Sequence, residues 1–99
     1  PHACHAAAAS HLAYYRALER TGHLRMLRTR GDLRRHLAAY AAAPDTAPLG
    51  YILSMECADP LIDPDEVFEW HALGLRAVGL THYGTNRYGG GTRSDAGLA

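Results

Sequence analysis

The sequence predicts an α/β fold built on parallel strands, and three observations carry that prediction. Two near-continuous apolar runs of strand length, residues 50–55 and 75–81, flank a segment with helical grammar. Upstream, an Ala- and Leu-rich stretch, a short run of alternating character and a second helical stretch repeat the same alternation. A strand, a helix and a strand so close together form a crossover unit, whose strands run parallel and whose connection is expected to be right-handed.

Residues 6–20 are rich in Ala and Leu and contain neither Gly nor Pro, so they are expected to form a helix in spite of the middling formers Ser10, His11, Tyr14 and Tyr15. Thr21-Gly22 ends it, because Gly tolerates the left-handed conformation that closes helices. Residues 24–28 suit a short strand. Asp32 is expected to cap a second helix whose Leu33, Leu37 and Tyr40 share a face. Residues 43–48, with Pro44 and Pro48, form a loop. The apolar run 50–55 reads as a parallel strand covered on both faces, ending at Glu56. Asp63 as N-cap, Pro64 at the first helical position and Glu66 three residues after the cap announce a third helix, with Ile62 and Val67 as its staple. Gly74 stops that helix, and 75–81 is the next buried strand. From His82 onward Gly84, Gly89, Gly90, Gly91 and Gly97 leave a long loop, unusual in a compact domain unless functional or truncated, with flexibility expected at 89–91.

The chain has 99 residues, room for one small core, and much of its 47% hydrophobic content is Ala, which buries little surface. No stretch approaches the roughly 20 apolar residues that span a bilayer, and the first residues lack an initiating Met and a signal pattern. The reading is therefore of a piece cut from a longer chain, with the cytoplasm as default location. Net charge is zero, but the signs separate. Arg16, Arg20, Arg25, Arg28, Arg30, Arg34 and Arg35 precede an acidic run of Glu56, Asp59, Asp63, Asp65, Glu66 and Glu69. Without interleaved aromatics, the basic block reads as solvated helix faces rather than a nucleic-acid site. Cys4 and Cys57 form no C-x-x-C motif and are too few for a disulfide framework, so they read as incidental thiols.

Chemistry concentrates at two strand ends. Glu56 follows the first apolar run and His82 the second, and parallel strands open their carboxyl ends on one side, which makes the two neighbours. A carboxylate there calls for a partner, either a metal or an Arg. His82 alone reads more readily as a hydrogen-bonded structural residue than as a functional one. His2, Cys4 and His5 lack a fourth ligand and a familiar metal spacing. His11, His23, His36 and His71 read as surface residues, and the run 89–91 lacks the strand and the Lys of a phosphate loop.

The stretches GYILSMECADP at 50–60 and WHALGLRAVGLTHYG at 70–84 resemble the membrane (renal) dipeptidase family of metallopeptidases. The likeness extends to Tyr14-Tyr15-Arg16-Ala17-Leu18 and to Asn86-Arg87-Tyr88 through Gly91-Thr92. It implies that residues 1–99 are a partial metallo-dipeptidase domain from the middle of a (β/α)8 TIM-type barrel. The implied activity is zinc-dependent hydrolysis of dipeptides at a site holding two metal ions. Glu56 matches the carboxylate that bridges the metals, and His82, in the Leu-Thr-His signature, matches a histidine that contacts substrate near the reacting carbonyl. The family's H-x-D motif and two later metal-binding histidines have no counterpart here. The family often has Gly after the bridging Glu where this chain has Cys57, which puts local packing and metal access in question. The implied partners are a dipeptide substrate and a second copy in a homodimer, with no nucleic acid and no membrane segment in this chain. Two other readings stay open: the same barrel acting on another amide or a lactone, and a non-catalytic α/β interaction module.

Overall fold

A computed structural model describes residues 2–93, so Pro1 and Gly97 of the sequence reading lie outside the described residues. Helix α1 (His2–Arg20) takes up the Ala-rich stretch and begins at His2, since residues 2–5 contain neither Gly nor Pro. It closes as expected at Gly22, which has φ 84° and donates its N–H to Glu19 O at 3.0 Å. Strand β1 (Leu24–Met26) follows, then α2 (Arg30–Ala42), β2 (Leu49–Tyr51), β3 (Leu53–Met55), α3 (Glu66–Leu73) and β4 (Leu75–Val78).

The expected strand at 50–55 is interrupted at Ile52, and its halves pair with different neighbours. β1 pairs parallel with β2, Arg25 opposite Gly50, and the ladder extends through Leu27 N–H to Tyr51 O at 2.8 Å. β3 pairs parallel with β4, Met55 opposite Val78, with an irregularity between Leu53 and Ser54. Run 49–55 is thus shared between β1 and β4, and the β3–α3–β4 unit is the parallel crossover the sequence announced. The second strand stops at Val78 rather than at residue 81, although Gly79 N–H still donates to Met55 O at 3.0 Å and Ala58 N–H to Leu80 O at 3.2 Å.

Leu12 of α1 and Trp70 of α3 pack with Met26, Leu53, Met55, Ala58, Leu61 and Leu75 into one core. The side chains of β3 alternate, so Leu53 and Met55 face this core while Ile52 and Ser54 face outward. Coverage of both faces, expected from the apolar run, is therefore not found among the described residues: Ile52 is 57% exposed. Polar contacts reinforce the packing. Glu19 Oε1 accepts from Met26 N–H at 3.0 Å and from the Tyr51 hydroxyl at 2.7 Å, tying α1 to β1 and β2 at once. Burial first, and then this bond to Glu19, raises the Tyr51 hydroxyl well above the ordinary tyrosine pKa.

Helix α2 corrects two expectations. Its N-cap is Thr29, not Asp32: Thr29 Oγ1 accepts from Asp32 N–H at 3.0 Å and Asp32 Oδ2 accepts from Thr29 N–H at 3.2 Å, a reciprocal capping box. Asp32 Oδ2 also takes Arg28 N–H at 2.9 Å, so its carboxylate organises the cap from within the helix. The face holding Leu33, Leu37 and Tyr40 points outward, with Leu37 58% exposed, while His36, expected at the surface, is buried. His36 packs beside Leu27 and the backbone of Gly50. At α3 the Asp63 carboxylate does accept Glu66 N–H at 3.1 Å, but residues 63–66 make a tighter turn and the α-helix starts at Glu66. Glu66 Oε2 takes Ile62 N–H at 2.7 Å instead of that of Asp63.

Candidate functional site

Two parallel strands position the site. β3 ends at Met55, so Glu56 leaves the sheet there, and the backbone pairing that continues to Leu80 carries His82 to the same end. Glu56 Oε1 and His82 Nε2 lie 3.2 Å apart, the neighbour relation predicted from strand direction. The contact is an ion pair whenever the His82 ring is protonated. Both side chains remain open to solvent, Glu56 at 76% and His82 at 47%. The His82 ring also lies 4.0 Å from that of Tyr83, whose other neighbour is the Arg93 guanidinium at 4.5 Å.

The segment after β4 is not a loose loop. Asn86 Oδ1 accepts from Tyr88 N–H at 2.8 Å and Gly89 N–H at 3.2 Å, while Asn86 Nδ2 donates to Leu80 O at 2.8 Å. Thr81 Oγ1 donates to Gly90 O at 2.7 Å and Thr92 N–H to His82 O at 2.8 Å. Gly89 and Gly91 are buried, and a Cβ at Gly91 would meet the Tyr83 backbone. Gly91 therefore serves close approach rather than the expected flexibility, and the segment folds back to brace the backbone of His82.

Glu56 also lines a cleft of about 490 Å³ between the first half of α1 and β3, together with Cys4, His11, Ser54, Cys57 and Asp59. Cys57 Sγ donates to Asp59 Oδ2 at 3.3 Å. Burial pushes the Cys57 thiol above its ordinary pKa. Of the weaker candidates at the N-terminus, His5 does not join a metal cluster. Its Nδ1 lies 2.8 Å from Glu66 Oε1 and 3.2 Å from Pro60 O, two acceptors, so Nδ1 carries the proton.

Glu56 and His82 are chemically suited to metal and substrate, one offering two oxygens and the other a ring nitrogen. They are too few to hold a metal by themselves. Among the described residues no group of three or more His, Cys, Asp or Glu side chains converges on one point. No helix among these residues is long and apolar enough to cross a membrane. No family model, curated protein or solved structure matches the chain.

Sequence reasoning gave no site role to Cys4, read as an incidental thiol, to Asp59, read as one charge of the acidic run, or to Asn86, quoted only for the family likeness. Asn86 sits inside a run whose glycines suggested looseness, and its bridging amide leaves no periodic signal. Cys4 and Cys57 are far apart in sequence, and only the docking of α1 brings them to one cleft.

Proposed function

We propose that this chain is one portion of a metal-dependent dipeptidase resembling the membrane dipeptidase family, built as a (β/α)8 barrel. In this reading it supplies Glu56 as a carboxylate shared by two zinc ions and His82 as a substrate contact. The reading rests on one observation above all: a carboxylate and an imidazole, drawn from the ends of two parallel strands, meet at 3.2 Å on the side where α/β folds assemble their sites. The remaining metal ligands come from sequence outside this chain. Glu56 would be this chain's share in holding zinc, which would supply Lewis-acid chemistry at the scissile carbonyl and an acidified water.

Glu56 has two oxygens on one side chain held by a strand end, the arrangement needed to share a ligand between two cations. With Nε2 3.2 Å from Glu56 Oε1 and its ring against Tyr83, His82 supplies in this reading an N–H donor to substrate. Engaged on Glu56, that N–H must exchange partners to reach a substrate carbonyl and stabilise the charge developing on its oxygen. The braced segment 86–92 keeps the His82 backbone in place during that exchange.

The test is metal content in the full-length protein. Glu56→Ala should lower bound zinc below that of the wild type by elemental analysis and abolish hydrolysis of a dipeptide. Unchanged zinc in that variant would remove the bridging role. A panel of dipeptides, other amides and lactones on the wild type then separates the substrate classes.

A further inference from the structure

Helices α1 and α3 run in the same direction and are tied to each other near both ends of α3. His5 Nδ1 lies 2.8 Å from Glu66 Oε1 at its start, and the Arg16 guanidinium donates to Leu73 O at 3.2 Å at its end. Between these ties α1 offers only the short side chains of Ala9 and Ala13 along its wall, and an open groove of about 420 Å³ is left. Its floor is apolar, made by Leu12 and Trp70 of the core. Two opposite charges also line it, Arg20 one turn beyond Arg16 on α1 and Glu69 one turn before Leu73 on α3. Neither side chain has a hydrogen-bond or ion-pair partner among the described residues. Glu66, by contrast, is already engaged by His5 and by the Ile62 amide.

The two ties fix the spacing of the free charges. Four residues of each helix add about 6 Å of rise, and an Arg side chain leans back toward the start of its helix, which places the charges about 10 Å apart along the groove. Three extended residues span about the same distance. We propose that this groove binds a short apolar peptide of about three residues with both termini free. Its carboxylate meets Arg20 and the remaining N–H groups of Arg16, its ammonium meets Glu69, and its middle side chain lies on Leu12 and Trp70. A single amino acid is too short to meet both charges, and an alkyl carboxylate would leave Glu69 beside an apolar tail. The site needs neither metal nor hydrolysis, and so goes beyond the dipeptidase reading.

The experiment is calorimetric titration of the full-length protein with the tripeptide Ala-Leu-Ala, its N-acetyl form and its C-terminal amide. Each cap should weaken binding by about fivefold, the scale of one ion pair at a partly open site. Arg20→Gln should bind the free peptide and the amide alike, and Glu69→Gln should bind the free peptide and the acetylated form alike. Both substitutions alter exposed side chains without structural partners, so the fold is kept. Absence of binding, or binding indifferent to both caps, would overturn the proposal. So would binding that both variants leave unchanged and Glu56→Ala abolishes, which would place the peptide at the proposed metal site and leave the dipeptidase reading standing.

Discussion

His82 illustrates how much one side chain depends on its two faces. Nε2 meets Glu56, the ring lies on Tyr83, and the residue's carbonyl is held by Thr92 N–H. If it donates to the oxygen of a reacting carbonyl, His82→Ala in the full-length protein should leave bound zinc unchanged. Turnover of a dipeptide should fall by something like 10²- to 10³-fold, the scale of removing one oxyanion donor. KM should move little, because the bond strengthens only as charge develops. Near-normal turnover would assign the contact with Glu56 a purely structural role. This residue pair was legible in the sequence because it depends on strand direction alone. The buried His36 was not, because which side of α2 faces inward is set by what the helix packs against.

At the scale of elements, α2 shows a cap stabilised by one carboxylate. The Arg28 amide above all, with Arg35 and the Thr29 amide, holds the Asp32 carboxyl below its ordinary pKa. Because the folded value is lowered, the stabilisation is complete above the ordinary carboxylate range and is lost as pH falls through the folded value. Thermal unfolding of the full-length protein and its Asp32→Asn variant across this acid range should therefore converge as pH drops, with the wild type more stable near neutrality. A constant gap would show that charge on Asp32 plays no part. Thr29→Ala should cost the full-length protein about 1 kcal/mol in urea unfolding through loss of the acceptor for the Asp32 amide. The order of helices and strands was readable from composition and punctuation, whereas the choice between Thr29 and Asp32 as cap was not. Both are good capping residues, and the carboxylate reaches back to two amides only once the turn has formed.

The whole molecule leaves much of its apolar surface open. Phe68 is 73% exposed, and Ile52, Leu37 and Leu49 also face outward. The accessible surface is 6698 Å², against roughly 5500 Å² for a compact folded monomer of 10.7 kDa. The radius of gyration is 16.0 Å, where about 13 Å is usual for a chain of this length. Two short parallel ladders around a small core leave a bare apolar face among the described residues. The isolated 99-residue chain is therefore expected to aggregate or unfold without a sharp transition, and to show no dipeptidase activity when zinc is added. A monomeric chain that unfolds cooperatively would favour the self-standing module, and activity abolished by Glu56→Gln would show that the site is complete within it. Calorimetry, sedimentation and a peptide assay decide between these outcomes.

The sequence by itself determined the alternation of helices and strands, the parallel crossover from β3 to β4, and the meeting of Glu56 with His82. Each follows from local patterns: apolar runs of strand length, helix punctuation by Gly and Asp, and the common direction of parallel strand ends. Tertiary structure alone decided the break at Ile52, the outward face of α2, the bracing of residues 80–92 and the shared cleft of Cys4 and Cys57. These depend on contacts between residues distant in the chain. The docking of α1, made through Glu19 on β1 and β2 and through His5 on the segment after β3, chooses among arrangements that local pattern leaves equal.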